Sequence, residues 1–484
     1  AGLTCRRKAE KAAHPEKYLP GAKEYPRFPS PLWQKERILK ENEGWKGAAP
    51  MPKEKKKKPE WYPLDNAGVL YSAIQKETYS AIYRFSALMT ERVDPAALQR
   101  AVDKTMPRFP SFAVRIKKGA FWYYCEPNDA PGPFLKKDIA NPCQPVRFRE
   151  DNGWLVRFYY YGGRIALEAH HSLGDGTGGM CLLMTVTAQY LRLKYQARIR
   201  PEGFVLDVEG VPDPEELEDA YMRYANARVC PPRPGEKTYR VRGTMEPFYT
   251  LNIVDGIMSV SQVIQVAKRY NATVTEYLNA VLIYALLQKQ GQEKGRRQRP
   301  VKIAIPVNLR RFFPSRTLRN FITMIYPGVD PRLGEYTFPE IVEQVHHYMR
   351  YYLNEKLLRG DITTNAATQR NPLIRVVPLF IKDFVVRQFY TKVQDKNSSA
   401  GLTNMGALQV PASMKPYIER FDIYMGQPFS SRTNCAIISY GDVLTVNFAS
   451  SIIEADVERY FFRRLVQDGI HVKIESNRSQ CEMP

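Results

Sequence analysis

The chain repeats one pattern of alternating helical and strand-like segments on both sides of a proline-rich stretch, CPPRPGE, at residues 230–236. Before this stretch, VDPAALQRAVDKTM has the apolar spacing of a helix, and VRFYYYGGRIALEAHH alternates like two strands joined at Gly162-Gly163. After it, the helical TVTEYLNAVLIYALLQKQ precedes the strand-like VKIAIPVNLR. The recurrence predicts an α/β (α+β) chain of two similar subdomains, residues 61–229 and 245–484, joined by a linker at 230–244.

The first 60 residues differ from the rest in composition. They hold 16 lysines and arginines against 8 acidic residues, end in KEKKKKPE, and show no sustained period of a helix or a strand. We therefore expect residues 1–60 to form a basic, largely irregular N-terminal tail.

Composition and charge narrow the class of protein further. Hydrophobic residues make up 44% of the chain, which excludes global disorder, and no apolar run reaches the roughly 20 residues of a membrane span. The net charge of +21 favours anionic partners, namely nucleic acid, an acidic membrane surface, an acidic protein or a phosphate-bearing cofactor. A solvated basic surface without a partner is the alternative interpretation.

The seven cysteines are scattered and contain no Cys-x-x-Cys pair, so neither a zinc site nor a disulfide framework is predicted. The N-terminal residues lack the basic end, apolar run and cleavage site of a secretory signal. A cytoplasmic, reducing location is the resulting expectation.

One stretch, EAHHSLGDGTGG, contains the candidate catalytic residues. His170, His171, Asp175 and Gly176 are spaced as HHxxxDG between a strand and the helical MCLLMTVTAQYLRL. Strand alternation places His171 on the apolar side and His170 on the opposite side, beside Glu168. An imidazole with an ordinary pKa of about 6.5 at the floor of a cleft has the property that a general base requires.

The same turn admits other interpretations. Asp175 could bind back into the turn or pair with a distant cation, while Gly174 and Gly176 permit backbone angles that other residues resist. A buried structural histidine is the plain alternative. Gly174, Gly176 and Gly179 also spell GxGxxG, but the preceding strand alternates and the basic LRLKYQARIRPEG follows, which disfavours a dinucleotide site. The pair His346-His347 has no following Asp-Gly and is expected to be solvated or at an interface, and His14 and His471 are isolated.

These residues resemble a known superfamily. HHSLGDG resembles the active-site signature of chloramphenicol acetyltransferases, nonribosomal-peptide condensation domains, plant acyltransferases and alcohol acetyltransferases. The segments that resemble its bacterial alcohol-acetyltransferase-like branch are WYPLDNAGVLYSA, PRFPSFAVRIKKGAFWYY, IPVNLRRFFPSRTLRNF and VNFASSIIEADVERYFFRRL. The likeness spans residues 61–476. It implies two chloramphenicol-acetyltransferase-like subdomains, with mixed sheets flanked by helices and an active-site tunnel at their interface.

The resemblance also implies roles for individual residues. His171 would be the general base, with His170 and Gly176 in support, and Asp175 would be a structural partner of an arginine that follows a strand. Arg310 in VNLR matches that arginine. Because Arg311 follows directly, the resemblance does not decide between these two neighbouring positions. Asn320 is a candidate for lining the tunnel. No metal is implied, and the late DFGWG motif of the plant branch is missing.

The function that the resemblance implies is acyl transfer from a thioester to an alcohol or amine. No bound cofactor is implied; acyl-coenzyme A, or a carrier-protein phosphopantetheine thioester, would be the co-substrate. The alternatives are a condensation-domain-like enzyme that uses an acyl or peptidyl carrier protein, and a non-catalytic relative that binds such a carrier. A third hypothesis is a nucleic-acid or membrane-surface binder that acts through the basic tail. We expect no nucleic-acid partner and no transmembrane segment, and peripheral contact of the tail with a membrane is left open.

Overall fold

The computed structural model describes residues 61–75, 79–226, 236–247, 250–293, 295, 297–392, 397–426 and 431–478. The predicted tail at 1–60 and residues 230–235 of the predicted linker lie outside these ranges, so the domain boundaries remain predictions.

The described residues contain eleven helices, and the four between residues 338 and 392 follow one another without an intervening strand. They are α1 (Asn66–Ile74), α2 (Pro95–Thr105), α3 (Gly176–Tyr195), α4 (Ala220–Tyr224), α5 (Val260–Arg269), α6 (Val274–Gln292), α7 (Phe338–Tyr352), α8 (Glu355–Arg370), α9 (Pro372–Arg375), α10 (Leu379–Lys392) and α11 (Asp456–Gln467). The helix predicted over VDPAALQRAVDKTM is confirmed as α2. Asp94 caps it by accepting from the backbone of Ala96 and Ala97, and Pro95 is its first residue.

The described strands form three sheets. They are β1 (Tyr62–Pro63), β2 (Ile82–Met89), β3 (Val114–Lys118), β4 (Tyr123–Pro127), β5 (Leu135–Lys137), β6 (Val156–Tyr161), β7 (Arg164–His170), β8 (Asn252–Ser259), β9 (Val301–Asn308), β10 (Ile322–Ile325), β11 (Gly328–Val329), β12 (Ala400–Ala407), β13 (Ile418–Met425), β14 (Thr433–Tyr440), β15 (Val443–Ser450) and β16 (Lys473–Ser476).

Two of the sheets are mixed and one is antiparallel. The first mixed sheet has the order β13-β2-β7-β6-β5, in which only β5 and β6 run parallel. The second has the order β10-β9-β12-β14-β15-β8-β16 with β11 also on β9, and β12 runs parallel to both of its neighbours. The small antiparallel sheet is β1-β4-β3.

The two halves of the chain share a sheet. Strand β13, from the C-terminal half, pairs with β2 beside β7, with Phe421 opposite Ala87 and His170 opposite Ile82. The same strand also contacts the second sheet, because the Thr445 hydroxyl donates to the Phe421 carbonyl at 3.0 Å. The strand that ends at the histidine pair therefore lies in a sheet completed by the distant part of the sequence.

A separate apolar core backs each of the two mixed sheets. Helix α3 packs against α2 and the first sheet and is buried over most of its length, with Leu182 and Leu183 fully inaccessible. Helix α6 lies against the second sheet, where Val281 and Leu282 are fully buried, and a capping box of Thr273 and Glu276 begins it. None of the described helices is long and apolar enough to span a bilayer.

Candidate active site

His171 is the first residue after β7, and its backbone is fixed from both halves of the chain. Its N–H donates to the Ala81 carbonyl at 2.8 Å, and its carbonyl accepts from Asn320 Nδ2 at 2.9 Å. The turn that carries the imidazole is therefore held by an N-terminal segment on one side and a C-terminal segment on the other.

Two tyrosines orient the His171 ring. Tyr71 on α1 stacks on it at 4.8 Å between ring centroids, and Tyr83 on β2 lies tilted against it at 4.6 Å. Among the described residues Nδ1 is buried without a hydrogen-bond partner, which leaves Nε2 as the nitrogen that can meet a substrate. Neither tyrosine was predicted, because nothing in the sequence links α1 or β2 to the histidine turn.

Burial sets the protonation state of His171. It lowers the pKa of the imidazole to about 4, although the carboxylate of Asp175 acts in the opposite direction. The ring is therefore neutral at pH 7, and a neutral imidazole has the lone pair that a general base uses.

His171 lines a cavity of about 1910 Å³ to which both halves of the chain contribute. Leu70, Tyr71 and Trp122 come from the N-terminal half, and Pro306 and Tyr326 come from the C-terminal half. Most of the lining side chains are aliphatic or aromatic. The volume exceeds the roughly 300–1,000 Å³ of ordinary ligand pockets, so there is room for two substrates to meet.

Asp175 lies behind the cavity wall and holds the turn. Its Oδ1 accepts from the Thr177 backbone at 3.0 Å as the N-cap of α3, and its Oδ2 accepts from the Phe321 backbone at 2.9 Å. Oδ2 also pairs with Arg310 Nη1 at 2.7 Å, with the carboxylate 2% and the guanidinium 10% exposed. The structure thus selects Arg310, rather than Arg311, as the partner of Asp175.

The guanidinium of Arg310 makes further hydrogen bonds beside the ion pair with Asp175. Its Nε and Nη2 donate to the Thr317 carbonyl at 3.0 and 2.8 Å, and Nη2 also donates to the Arg319 carbonyl at 2.6 Å. Because Arg310 follows β9, this ion pair ties the C-terminal half to the histidine turn. Both residues position the turn, and among the described residues neither lines the cavity.

His170 faces away from the cavity, as strand alternation predicts. Its Nδ1 accepts from the Ser172 backbone at 3.2 Å, and its ring meets Phe148 edge to face at 5.5 Å. Burial lowers its pKa to about 3, so this ring also stays neutral. On the same side of the strand, Glu168 pairs with Arg84 at 3.1 Å, so His170 belongs to the packing that supports β7.

The glycines of the turn act by size and not by backbone angle. None of Gly174, Gly176 and Gly178 has a positive φ, so the expectation of unusual angles at Gly174 and Gly176 was wrong. A Cβ at Gly174 or Gly178 would lie 2.4 or 2.1 Å from the Leu318 carbonyl oxygen, and one at Gly176 would lie 3.0 Å from Met405 Sδ. Close approach of the two halves is what these positions require.

Gly178→Ala should therefore destabilise the protein by about 1–3 kcal/mol, because the Leu318 backbone must shift to admit the methyl group. Thermal unfolding of the full chain measures the effect. Gly291→Ala in α6 is the matched control, since no atom lies within 4 Å of its added Cβ and its melting temperature should be unchanged or slightly higher. Equal melting temperatures for both variants would contradict the close-approach role.

Asn320 does not stand among the cavity-lining residues described, although it was predicted to line the tunnel. It is fully buried, and its Nδ2 donates to Asp65 Oδ1 at 3.2 Å as well as to the His171 carbonyl. Asp65 also caps α1 through the Gly68 backbone at 2.7 Å and lies 3.5 Å from Arg319 Nε. Burial raises the pKa of the Asp65 carboxyl, and Arg319 opposes that change.

Sequence reasoning missed this second buried network. Asp65 connects α1, and with it Tyr71, to the carbonyl of His171 through one side chain, Asn320. The available signal was the aspartate in WYPLDNAG, which stands where an N-cap residue would begin a helix. The hydrogen bond between Asp65 and Asn320 joins positions 255 residues apart. No local sequence pattern predicts such a contact.

Comparison with solved structures identifies the fold. Polyketide synthase associated protein 5 from Mycobacterium tuberculosis matches with a TM-score of 0.55 at 13% identity, over 84% of this chain and 96% of that chain. The first condensation domain of the CDA synthetase matches with a TM-score of 0.54 at 16% identity, over 84% and 96%. The starter condensation domain of rhizomide synthetase RzmA, a variant in complex with C8-CoA, matches with 0.52 at 12% identity, over 85% and 98%.

At these identities the likeness establishes the fold alone. The predicted fold class is confirmed: the chain has the condensation-domain fold, with two chloramphenicol-acetyltransferase-like subdomains built on mixed sheets flanked by helices. No protein-family model and no curated protein matches the sequence. In the part of the chain that the structure describes, no group of three or more His, Cys, Asp or Glu residues is placed to hold a metal ion.

Proposed function

We propose that this protein is an acyltransferase that moves an acyl group from a thioester to an alcohol or amine, with His171 as the general base. The observation that carries the proposal is the neutral imidazole of His171 on the wall of a large cavity shared by both halves. The ion pair of Asp175 and Arg310 supports it, because it fixes the turn without occupying the cavity.

The proposed reaction needs only one group to move a proton. As the acceptor oxygen or nitrogen attacks the thioester carbonyl, its proton passes to His171 Nε2. The tetrahedral intermediate then breaks its carbon–sulfur bond, and the imidazolium returns the proton to the leaving thiolate. An ester or amide and a free thiol result. General-base catalysis of this kind contributes about 10²- to 10⁴-fold, and orientation of two bound substrates contributes further.

Acyl-coenzyme A is the proposed donor, and the C8-CoA complex of the RzmA condensation domain supports this choice. A carrier-protein thioester is the alternative donor. Transfer to oxygen, as in the alcohol-acetyltransferase-like branch, and the HHxxxDG assignment are proposed on the sequence resemblance. The cytoplasmic location is proposed on the scattered cysteines and the missing signal pattern. The basic charge of the chain, +21, suits the phosphates of coenzyme A and an acidic carrier protein alike.

A thiol-release assay tests the proposed function. The full chain is incubated with acyl-coenzyme A of graded length, or with acyl carrier-protein thioesters, together with panels of alcohols and amines. The product is identified by mass spectrometry. Acceptor-dependent release of free thiol with formation of an ester or amide is the expected result. If neither coenzyme A nor carrier-protein thioesters are consumed with any acceptor, the proposal fails and a non-catalytic binding role becomes the better account.

The pH dependence should report the lowered pKa of His171. Protonation removes the lone pair, so kcat/KM should stay level through neutral pH and fall at acid pH with a midpoint near 4. An unperturbed histidine would give a midpoint near 6.5. Steady-state rates, with activity at pH 7 re-measured after each acid exposure to exclude unfolding, provide the test. A midpoint of about 6.5 would contradict the lowered pKa of His171.

A further inference from the structure

Helices α9 and α10, the segment between them, the tip of the β3–β4 hairpin and Trp61 just before β1 expose large apolar side chains. The members of this surface, which we name the apolar rim, are Trp61, Phe121, Trp122, Leu373, Val376, Phe380, Phe384, Val385 and Phe389. Leu373 is 75% exposed, Phe380 74% and Phe384 64%. Contiguous exposed surfaces of this kind mark interaction sites, because a solvated helix face is normally polar.

The parts of the apolar rim are joined by direct contacts. The Leu379 N–H donates to the Ala120 carbonyl at 2.8 Å, and Lys382 Nζ donates to the Phe121 carbonyl at 2.8 Å. The Tyr123 hydroxyl donates to Asp383 Oδ2 at 2.6 Å. These bonds fix the first turn of α10 against the hairpin tip, so the exposed rings of both elements belong to one surface.

Five members of the apolar rim border an opening of the His171 cavity. Trp61, Phe121, Trp122, Val385 and Phe389 are exposed and also line the cavity. A side chain that does both lies where a cavity meets solvent. These exposed side chains and the imidazole therefore border the same cavity.

The charge around the apolar rim is positive. Residues 372–389 contain three basic residues and one acidic residue. The acidic one, Asp383, is buried under Tyr123. Among the described residues, Lys382 donates to backbone carbonyls, as does Arg375 through its Nε, and a carbonyl oxygen carries no full negative charge. Exposed apolar side chains flanked by cations are the chemistry that inserts into an anionic lipid surface.

We propose that the apolar rim docks on an anionic lipid bilayer. The exposed phenylalanines would enter the interface between headgroups and acyl chains, the tryptophans would lie at its level, and the basic residues would meet the anionic headgroups. Docking requires no turnover. If the protein docks in this way, a substrate dissolved in the bilayer can pass through the opening to His171. This consequence rests on the proposed function, and it assigns apolar lipids as the substrate class of the enzyme.

Vesicle co-sedimentation of the full chain tests the docking. The vesicles consist of phosphatidylcholine alone or of phosphatidylcholine with about 30 mol% phosphatidylglycerol, which gives the membrane a negative surface charge. The test variant is Phe380→Ser with Phe384→Ser, two exposed positions that do not stand among the described cavity-lining residues. The matched control is Val211→Ser with Leu333→Ser, which are 79% and 81% exposed and lie outside the rim.

We expect the wild type and the control variant to bind the anionic vesicles and to be released by salt. The rim variant should bind at least about tenfold more weakly, since each phenylalanine removed from the interface withdraws a large apolar area. All three proteins should keep the same melting temperature and the same rate on a water-soluble thioester.

Four results would overturn the docking proposal: no vesicle binding by the wild type, equal binding by the rim variant, equal loss in the control variant, or a wild-type dimer that the rim variant converts to monomers. Retained binding by the rim variant with loss on removal of residues 1–60 would assign the membrane contact to the tail instead. A protein that sediments with vesicles but releases no thiol would refute the proposed function and leave the docking intact.

Discussion

Replacing His171 with alanine should lower kcat for acyl transfer by about 10²- to 10⁴-fold, the contribution of a positioned general base. The effect should fall on kcat rather than on KM for the thioester, because the cavity wall around His171 remains. Stability should change little, since Nδ1 has no described hydrogen-bond partner to lose. Steady-state thiol release and thermal unfolding of the same preparation separate these two quantities.

His347→Ala is the matched control for this variant. His347 also belongs to a His-His pair, but it lies exposed on α7 beside Glu343 and is not among the described residues of the cavity wall. Its removal should leave kcat unchanged. Wild-type turnover in the His171→Ala protein would show that another group accepts the proton.

Asp175→Asn should destabilise the protein by about 3 kcal/mol, because it leaves the buried Arg310 guanidinium without its counter-charge. Asparagine keeps an oxygen that can accept from the Thr177 backbone as the N-cap of α3. The loss of stability therefore does not come from helix capping. Activity should fall more than tenfold, since a small shift of the turn misplaces Nε2. The acid limb of the pH profile should move below pH 4, because the Asp175 carboxylate raises the pKa of His171.

A double-mutant cycle with Arg310→Met completes this test. Removing both charges together should cost less than the sum of the single changes, because the double variant leaves no unpaired buried charge. The exposed pair of Asp213 and Arg316, at 2.8 Å, supplies the control, and Asp213→Asn should cost less than about 1 kcal/mol. Additive effects at Asp175 and Arg310, or an unmoved pH profile in Asp175→Asn, would contradict the positioning role.

The sequence predicted the features that depend on local pattern. Strand alternation placed His170 and His171 on opposite sides of β7, and the capping positions placed the start of α2 at Pro95. The resemblance predicted that either Arg310 or its neighbour Arg311 pairs with Asp175. The structure shows the ion pair with Arg310.

The missed features all join distant parts of the chain. The entry of β13 into the first sheet, the stacking of Tyr71 on His171 and the bond from Asn320 to Asp65 connect segments about one hundred to more than three hundred residues apart. Local propensity carries no information about such pairs. Gly174 and Gly178 show the same limit, because the atom that requires their small size is the Leu318 carbonyl oxygen of the other half.

The central claim is that thioester and acceptor meet at Nε2 of His171. A crystal structure of the full chain with a non-reactive acyl-coenzyme A analogue and an alcohol tests it most directly. We predict the acceptor oxygen within hydrogen-bond distance of Nε2 and about 3–3.5 Å from the acyl carbonyl carbon, inside the shared cavity. An acyl group bound outside this cavity, or inside it with the carbonyl remote from His171, would contradict the account.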